Sequence, residues 1–373
     1  MNDISRLKKL YQLGQSPWYD NIDRRIIDNG GLKSLFDMGI MGVTSNPSIF
    51  EKAINSSFVY DEKILRFKKD GASLEAIYDE LTADDVRDAA DMLKGVYEQT
   101  RGVDGFVSIE VLPAYAHDVE KTIAYARHIY KKVARPNIMV KVPGTKESPQ
   151  AIRTLLCEGI NINATLLFSV SQYERVAAAY MDGLRDRSRQ GLSLSGVASV
   201  ASVFISRIDT KIDNVLDVFS SRAPDLETKQ KISSLKGKAA IANTKFIYQR
   251  FKELFSDRMF GDLMMQGAHV QRPLWASTST KNPAYSDCIY VDNLIGPQTV
   301  NTLPHTTVDA FADHGRLVLT LESDMDGAGA CLSRLQELGL NMETICEEAQ
   351  NEGVMAFQRS FDALMDSLKA KVG

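Results

Sequence analysis

The amino-acid sequence predicts an α/β protein built as a (β/α)8 TIM barrel, with additional helices and a C-terminal helix. Three observations predict it. Short apolar stretches alternate with long amphipathic ones, the pattern of parallel strands joined by helical crossovers. Counting one degenerate member, eight strand candidates are present. In several of them the polar residues share one parity, and in a sheet covered by helices that parity must face inward. The 373 residues exceed the roughly 250 of a plain barrel and leave room for additions. No Pro- or Gly-rich linker divides the chain, so residues 1–373 are expected to form one domain.

In chain order, a charged, helix-like opening from Ser5 to Leu13 precedes the degenerate strand around Trp18 to Asn21. The next strand candidate is Gly39 to Asn46. A helical insertion follows at about 51–100, where Thr82 offers an N-cap before Asp84 and Asp85, acids suited to a first helical turn. Phe106 to Val111, Asn137 to Val142, Asn161 to Phe168 and Val197 to Phe204 read as strands, and Asp209 to Phe255 as largely helical. Pro273 to Ser277 and Cys288 to Val291 complete the strand list. The extension at about 343–373 ends in an amphipathic helix, with Phe357, Phe361, Leu364 and Leu368 at helical spacing and able to cap the barrel mouth.

Composition narrows the function classes. Hydrophobic residues at 44% and charged residues at 25% supply a large core and exclude overall disorder. A net charge of -4 offers no basic face for nucleic acid. The apolar runs Ala164 to Val170 and Val197 to Ile205 are too short to span a bilayer, which needs about 20 residues. No export signal follows Met1. Cys157, Cys288, Cys331 and Cys346 form no CxxC pair, so neither a disulfide framework nor a zinc site is indicated and a reducing cytoplasm is expected. His117, His128, His269, His305 and His314 show no HExxH or close pairing, which argues against a metal site. Asp324-Met325-Asp326-Gly327 opens like a calcium loop without its remaining ligands and reads as a helix start.

Parity within the strands carries the chemistry. Ser108 and Glu110 lie opposite Val107, Ile109 and Val111; Met139 and Lys141 lie opposite Ile138, Val140 and Val142. Asn161, Asn163 and Thr165 oppose Ile162, Ala164 and Leu166, while Thr44 and Asn46 share a face. Any one of these could be a strand with a solvated face. Together, inside a barrel, they place costly polar groups where an active site is built. A lysine there has a chemical use, because burial disfavours an ammonium and makes the free amine available to attack a ketone.

At these positions the chain resembles the transaldolase family, particularly its longer subfamily. The resemblance is carried by Thr44-Ser45-Asn46-Pro47-Ser48, Val107 to Val111, Val140-Lys141-Val142-Pro143-Gly144-Thr145 and Gly159 to Ser169. It continues through Ala198 to Arg207, Leu274 to Thr278, Lys281-Asn282-Pro283 and Thr299 to Pro304. It implies that Lys141 is the Schiff-base lysine, Asp20 the catalytic aspartate, and Glu110 with Thr165 the pair that works through a catalytic water. Asn46, Asn163 and Ser202 match positions lining the dihydroxyacetone moiety, and Arg207 a phosphate-binding arginine. Where shorter members have a second arginine two positions after Ala276-Ser277, this chain has Ser279 and then Lys281. Ser277, Lys281 and backbone N–H groups are therefore expected to bind phosphate.

The activity implied is transfer of a dihydroxyacetone unit between ketose and aldose phosphates in the pentose phosphate pathway, without metal or organic cofactor. Sugar phosphates are the expected partners, and both monomer and homodimer are compatible with the sequence. Two alternatives stay open: a class I fructose 6-phosphate-type aldolase that releases dihydroxyacetone, and a non-catalytic sugar-phosphate-binding barrel. The second has no need of a buried amine beside Glu110, Asn163 and Thr165.

Overall fold

A computed structural model describes residues 4–372. Eight parallel strands close a barrel in chain order: β1 (Gln15–Tyr19), β2 (Val43–Thr44), β3 (Val107–Glu110), β4 (Ile138–Pro143), β5 (Ile162–Leu167), β6 (Ser199–Phe204), β7 (Arg272–Ala276) and β8 (Thr299–Leu303). Closure runs through β1 and β8, registered from Gln15 opposite Thr299 to Tyr19 opposite Leu303. Strands β4, β5 and β6 are buried along their whole length, as parallel strands sheathed in helices must be.

Three expectations are corrected. Cys288 to Val291 is not a strand: Ile289–Asp292 is a short helix, and Thr299–Leu303 is the eighth strand. Four apolar residues carry no usable period, so burial alone made the segment look extended. The strand expected over Gly39 to Asn46 shrinks to Val43–Thr44, because Gly39, at φ +119°, ends the preceding helix and Asn46 begins the next. Thr82 is not an N-cap. It lies inside the Leu74–Met92 helix and donates its hydroxyl back to the Tyr78 carbonyl at 2.9 Å, while Ser73 caps that helix.

Helices Pro47–Asn55, Asp61–Lys69, Leu74–Met92 and Lys94–Gln99 fill the insertion between β2 and β3. The last helix, Met342–Val372, crosses the C-terminal end of the barrel and buries Phe357, Phe361, Leu364 and Leu368. It is pinned there by the buried Gln350, whose amide donates to the carbonyls of Gly144 and Leu166, each at 2.9 Å. Leu166 has φ +57° and marks a register shift in β5, so the alternation read through this strand holds only as far as Thr165. At the opposite end, Asp104 accepts from Arg272 at 2.9 Å, Ser16 at 2.8 Å and Trp18 at 3.0 Å, closing the barrel floor with a paired charge.

Candidate active site

Side-by-side register builds the centre of the site. Glu110 pairs with Lys141 and Lys141 with Asn163 across β3, β4 and β5, so three inward polar residues stand in one row. Lys141, only 5% exposed at its side chain, donates from Nζ to the Ser45 carbonyl at 2.9 Å and lies 3.3 Å from Glu110 Oε2. That oxygen sits within ion-pair reach but off the line of a hydrogen bond, and it has no hydrogen-bond partner in the protein. Burial raises the Glu110 pKa against the pull of the lysine, favouring a carboxyl that can hold a proton.

Asp20 follows β1 and accepts from the Thr44 hydroxyl at 2.6 Å; the same hydroxyl lies 2.6 Å from that of Thr302. Burial raises its pKa too, with Lys141, the Thr44 hydroxyl and Lys281 opposing. Two carboxyls in one barrel thus bind protons more readily than in water, which suits groups that accept and return them. Thr165 presents a buried hydroxyl without a protein partner, available to a substrate oxygen. Behind it, Ser202 donates to Asn163 Oδ1 at 2.6 Å, and Asn163 donates to Ser108 at 3.1 Å, locking the amide orientation.

These groups open into a cavity of about 320 Å³ at the C-terminal ends of the strands. Asp20, Asn46, Lys141, Thr165 and Ser202 line its depth, while Arg207, Ser277 and Lys281 line its mouth. Glu110 and Asn163 are not on its wall; they touch it through Lys141 and Ser202. Asn46 has a second task, capping the Pro47–Asn55 helix through the Ile49 N–H at 3.0 Å. Ser277, at φ +55°, lies 2.9 Å from the Ser206 hydroxyl.

Among the wall residues to which the sequence reading gives no role at the site are Lys52, Ser279 and Thr302. Thr302 lies in a segment that carries the resemblance, but that segment is not read as the eighth strand and so its inward face is not assigned. Lys52 reaches the mouth from the helix after β2, and nothing in its local sequence marks it. Lys52, Arg207 and Lys281 make the mouth cationic. The Lys281 pKa is lowered by burial and then by the like charges of Arg207 and Lys52, with Asp20 opposing. The Arg207 guanidinium stands 5.2 Å over the Phe204 ring and 5.8 Å from that of Phe357, and burial lowers its pKa below the usual arginine value.

Metal-ligating atoms come together elsewhere among the described residues, at Asp287, Cys288 and His314, where the exposed Asp287 and His314 hydrogen-bond each other at 2.8 Å. None of the three lines the cavity. As expected, Asp324 begins a helix, accepting from the Gly327 N–H at 3.1 Å.

A buried amine beside carboxyls, a row of hydroxyl and amide groups, and a cationic mouth suit a phosphorylated polyol bearing a carbonyl. Comparisons with known proteins agree. The model of the family described as Transaldolase/Fructose-6-phosphate aldolase matches residues 17–368. The protein named Transaldolase from Trichodesmium erythraeum (strain IMS101) is 45% identical over 371 residues, covering 99% of this chain and 98% of its own. Transaldolase 2 from Nostoc sp. (strain PCC 7120 / SAG 25.82 / UTEX 2576) is 44% identical over 373 residues, covering 99% and 98%. Transaldolase from Mycobacterium tuberculosis (strain ATCC 25618 / H37Rv) is 42% identical over 367 residues, covering 98% and 96%. The chain belongs to the transaldolase/fructose-6-phosphate aldolase family.

Proposed function

We propose that this enzyme is a transaldolase that moves a dihydroxyacetone unit from a ketose phosphate to an aldose phosphate through a Schiff base on Lys141. The reaction is sedoheptulose 7-phosphate plus glyceraldehyde 3-phosphate to erythrose 4-phosphate plus fructose 6-phosphate, a step of the pentose phosphate pathway. The observation that carries it is the burial of the Lys141 amine between Glu110 and the Ser45 carbonyl, beside a cavity with a cationic mouth.

The free amine adds to the ketone carbon, and the carbinolamine hydroxyl leaves as water after taking a proton relayed by Glu110 and Thr165. The resulting iminium is the electron sink, so the chemistry requires no metal or organic cofactor. Asp20 removes the proton from the hydroxyl one carbon beyond the bond to be broken. That bond cleaves, its electron pair passes into the iminium to form an enamine, and an aldose phosphate departs. Asn46, Asn163 and Ser202 hold the hydroxyls of the remaining three-carbon unit, keeping it oriented for the acceptor aldehyde. Arg207, Lys281 and Ser277 hold the phosphate. Residues 1–373 act as one barrel domain in this reading, with the insertion and the C-terminal helix as parts of its mouth. Among the described residues no helix is long and apolar enough to cross a membrane.

Borohydride reduction of the protein with fructose 6-phosphate, followed by peptide mass spectrometry, tests the assignment. A three-carbon adduct on Lys141, absent from Lys141→Ala, is expected. Its consumption by erythrose 4-phosphate or glyceraldehyde 3-phosphate before reduction separates transfer from release of dihydroxyacetone. Absence of any adduct from folded wild-type protein overturns the proposal.

A further inference from the structure

The Ser206–Ser221 helix has Arg207 at its second position, and on the same helix it buries two carboxylates one turn apart, Asp209 and Asp213. Helix cores rarely bury paired acids without a task, since each must find partners for its oxygens. Asp209 accepts from the Ala240 N–H at 2.8 Å and Asp213 from the Gly237 N–H at 3.1 Å, so both cap the start of the Ala239–Leu254 helix. Backbone caps use only one oxygen of each. The other Asp213 oxygen accepts from the Tyr285 hydroxyl at 2.7 Å, whereas the second Asp209 oxygen is buried without a hydrogen-bond partner in the protein.

Tyr285 and Tyr290 belong to the segment after β7, the one that carries Ser277, Ser279 and Lys281. Within it, Lys281 donates to Ser279 at 2.6 Å and Thr280 donates to the Ser286 carbonyl at 2.8 Å, so the turn is tied to the residues on either side of Tyr285. The Tyr285 ring lies against Gly237, where an added Cβ would fall 2.9 Å from its Cζ. Burial, with the neighbouring Asp213, raises the Asp209 pKa to about 7. A second cavity, of about 370 Å³, lies between this helix and the C-terminal helix and shares Arg207, Ser277 and Lys281 with the first.

Resting on the function proposed above, we propose that the Asp213–Tyr285 hydrogen bond is a latch that holds the Lys281 turn against the helix bearing Arg207. The latch sets the spacing of the two cations and hence recognition of the substrate phosphate. Tyr285 and Asp213 are positioning residues; neither lines the cavity. The latch gives a point-charge lysine the fixed placement that a forked guanidinium would bring by its own geometry.

Tyr285→Phe removes the hydroxyl and keeps the ring on Gly237. It is expected to raise KM for fructose 6-phosphate, and the inhibition constant of inorganic phosphate, by about tenfold, the share of one charged hydrogen bond. The rate with unphosphorylated fructose should stay as in wild type. In a Lys281→Ala background the same substitution should add nothing, since the latch acts through that lysine. If Tyr285→Phe does not fold, Asp213→Asn is read the same way. An unchanged KM and phosphate inhibition, an equal loss with both donors, or full additivity with Lys281→Ala overturns the latch. Failure of wild-type protein to trap an adduct on Lys141 instead overturns the function on which it rests.

Discussion

Replacing Gln350 by Met keeps the length of an unbranched side chain and removes one amide that makes two hydrogen bonds. Both bonds, 2.9 Å to Gly144 O and 2.9 Å to Leu166 O, tie the C-terminal helix to the ends of β4 and β5, immediately beyond Lys141 and Thr165. Gln350 is 6% exposed, so water cannot easily replace the lost donor. An unpaired buried carbonyl costs about 1–3 kcal/mol, and two lost together amount to about 2–5 kcal/mol after the gain from a more apolar side chain. Equilibrium unfolding in urea reads this as a lower midpoint with unchanged slope. Protease nicking within Met342–Val372 should rise in parallel, because the helix loses its central tie to the barrel. A loss below about 1 kcal/mol, with unaltered nicking, would refute the reasoning and mean that packing of Phe357, Phe361, Leu364 and Leu368 holds the helix without Gln350.

At the barrel floor, Arg272→Met leaves Asp104 buried without its cation and should cost about 3–5 kcal/mol in the same assay, while the adduct on Lys141 at the far end still forms. Gly353→Ala places a Cβ 2.9 Å from Leu166 Cδ2 and 3.2 Å from Arg207 Nη1; the helix-propensity gain of about 1 kcal/mol offsets the overlap in stability, but the displaced guanidinium should raise KM for phosphorylated donors. Asp209 has a folded-state pKa of about 7 against an ordinary 3.8, so its contribution to stability is present in full below about pH 4 and is lost as pH rises to about 7, by at most roughly 4 kcal/mol. Facing it are Asp213 on its own helix, Tyr285 and Tyr290 in the segment after β7, and Cys331 beyond. Asp209→Asn should therefore flatten unfolding free energy against pH over that interval, and an unchanged slope would place the titration elsewhere.

Much of the site was legible in the chain because strand parity is a local property. Glu110, Lys141, Asn163 and Thr165 alternate with aliphatic residues over stretches long enough for a period of two to be counted, and the register of β3, β4 and β5 confirms the shared face. Lys52 could not be found that way. Its neighbours at the mouth are Arg207 and Lys281, separated from it by more than a hundred residues, and only barrel closure brings the three together. Cys288 to Val291 misled for a related reason: a four-residue apolar run is buried whether it is helix or strand, and its neighbours decide which.

By itself the sequence determined the architecture, the inward-facing lysine and its flanking polar row, since alternation, helix period and the Val140 to Thr145 segment are written in consecutive residues. Tertiary structure alone decided the rest. It chose Thr299–Leu303 as the closing strand, set Gln350 on the ends of β4 and β5, and placed three cations around one mouth. The physical reason is range. Side-chain direction repeats every two or 3.6 residues, whereas charge convergence depends on how elements distant in the chain pack around a common core.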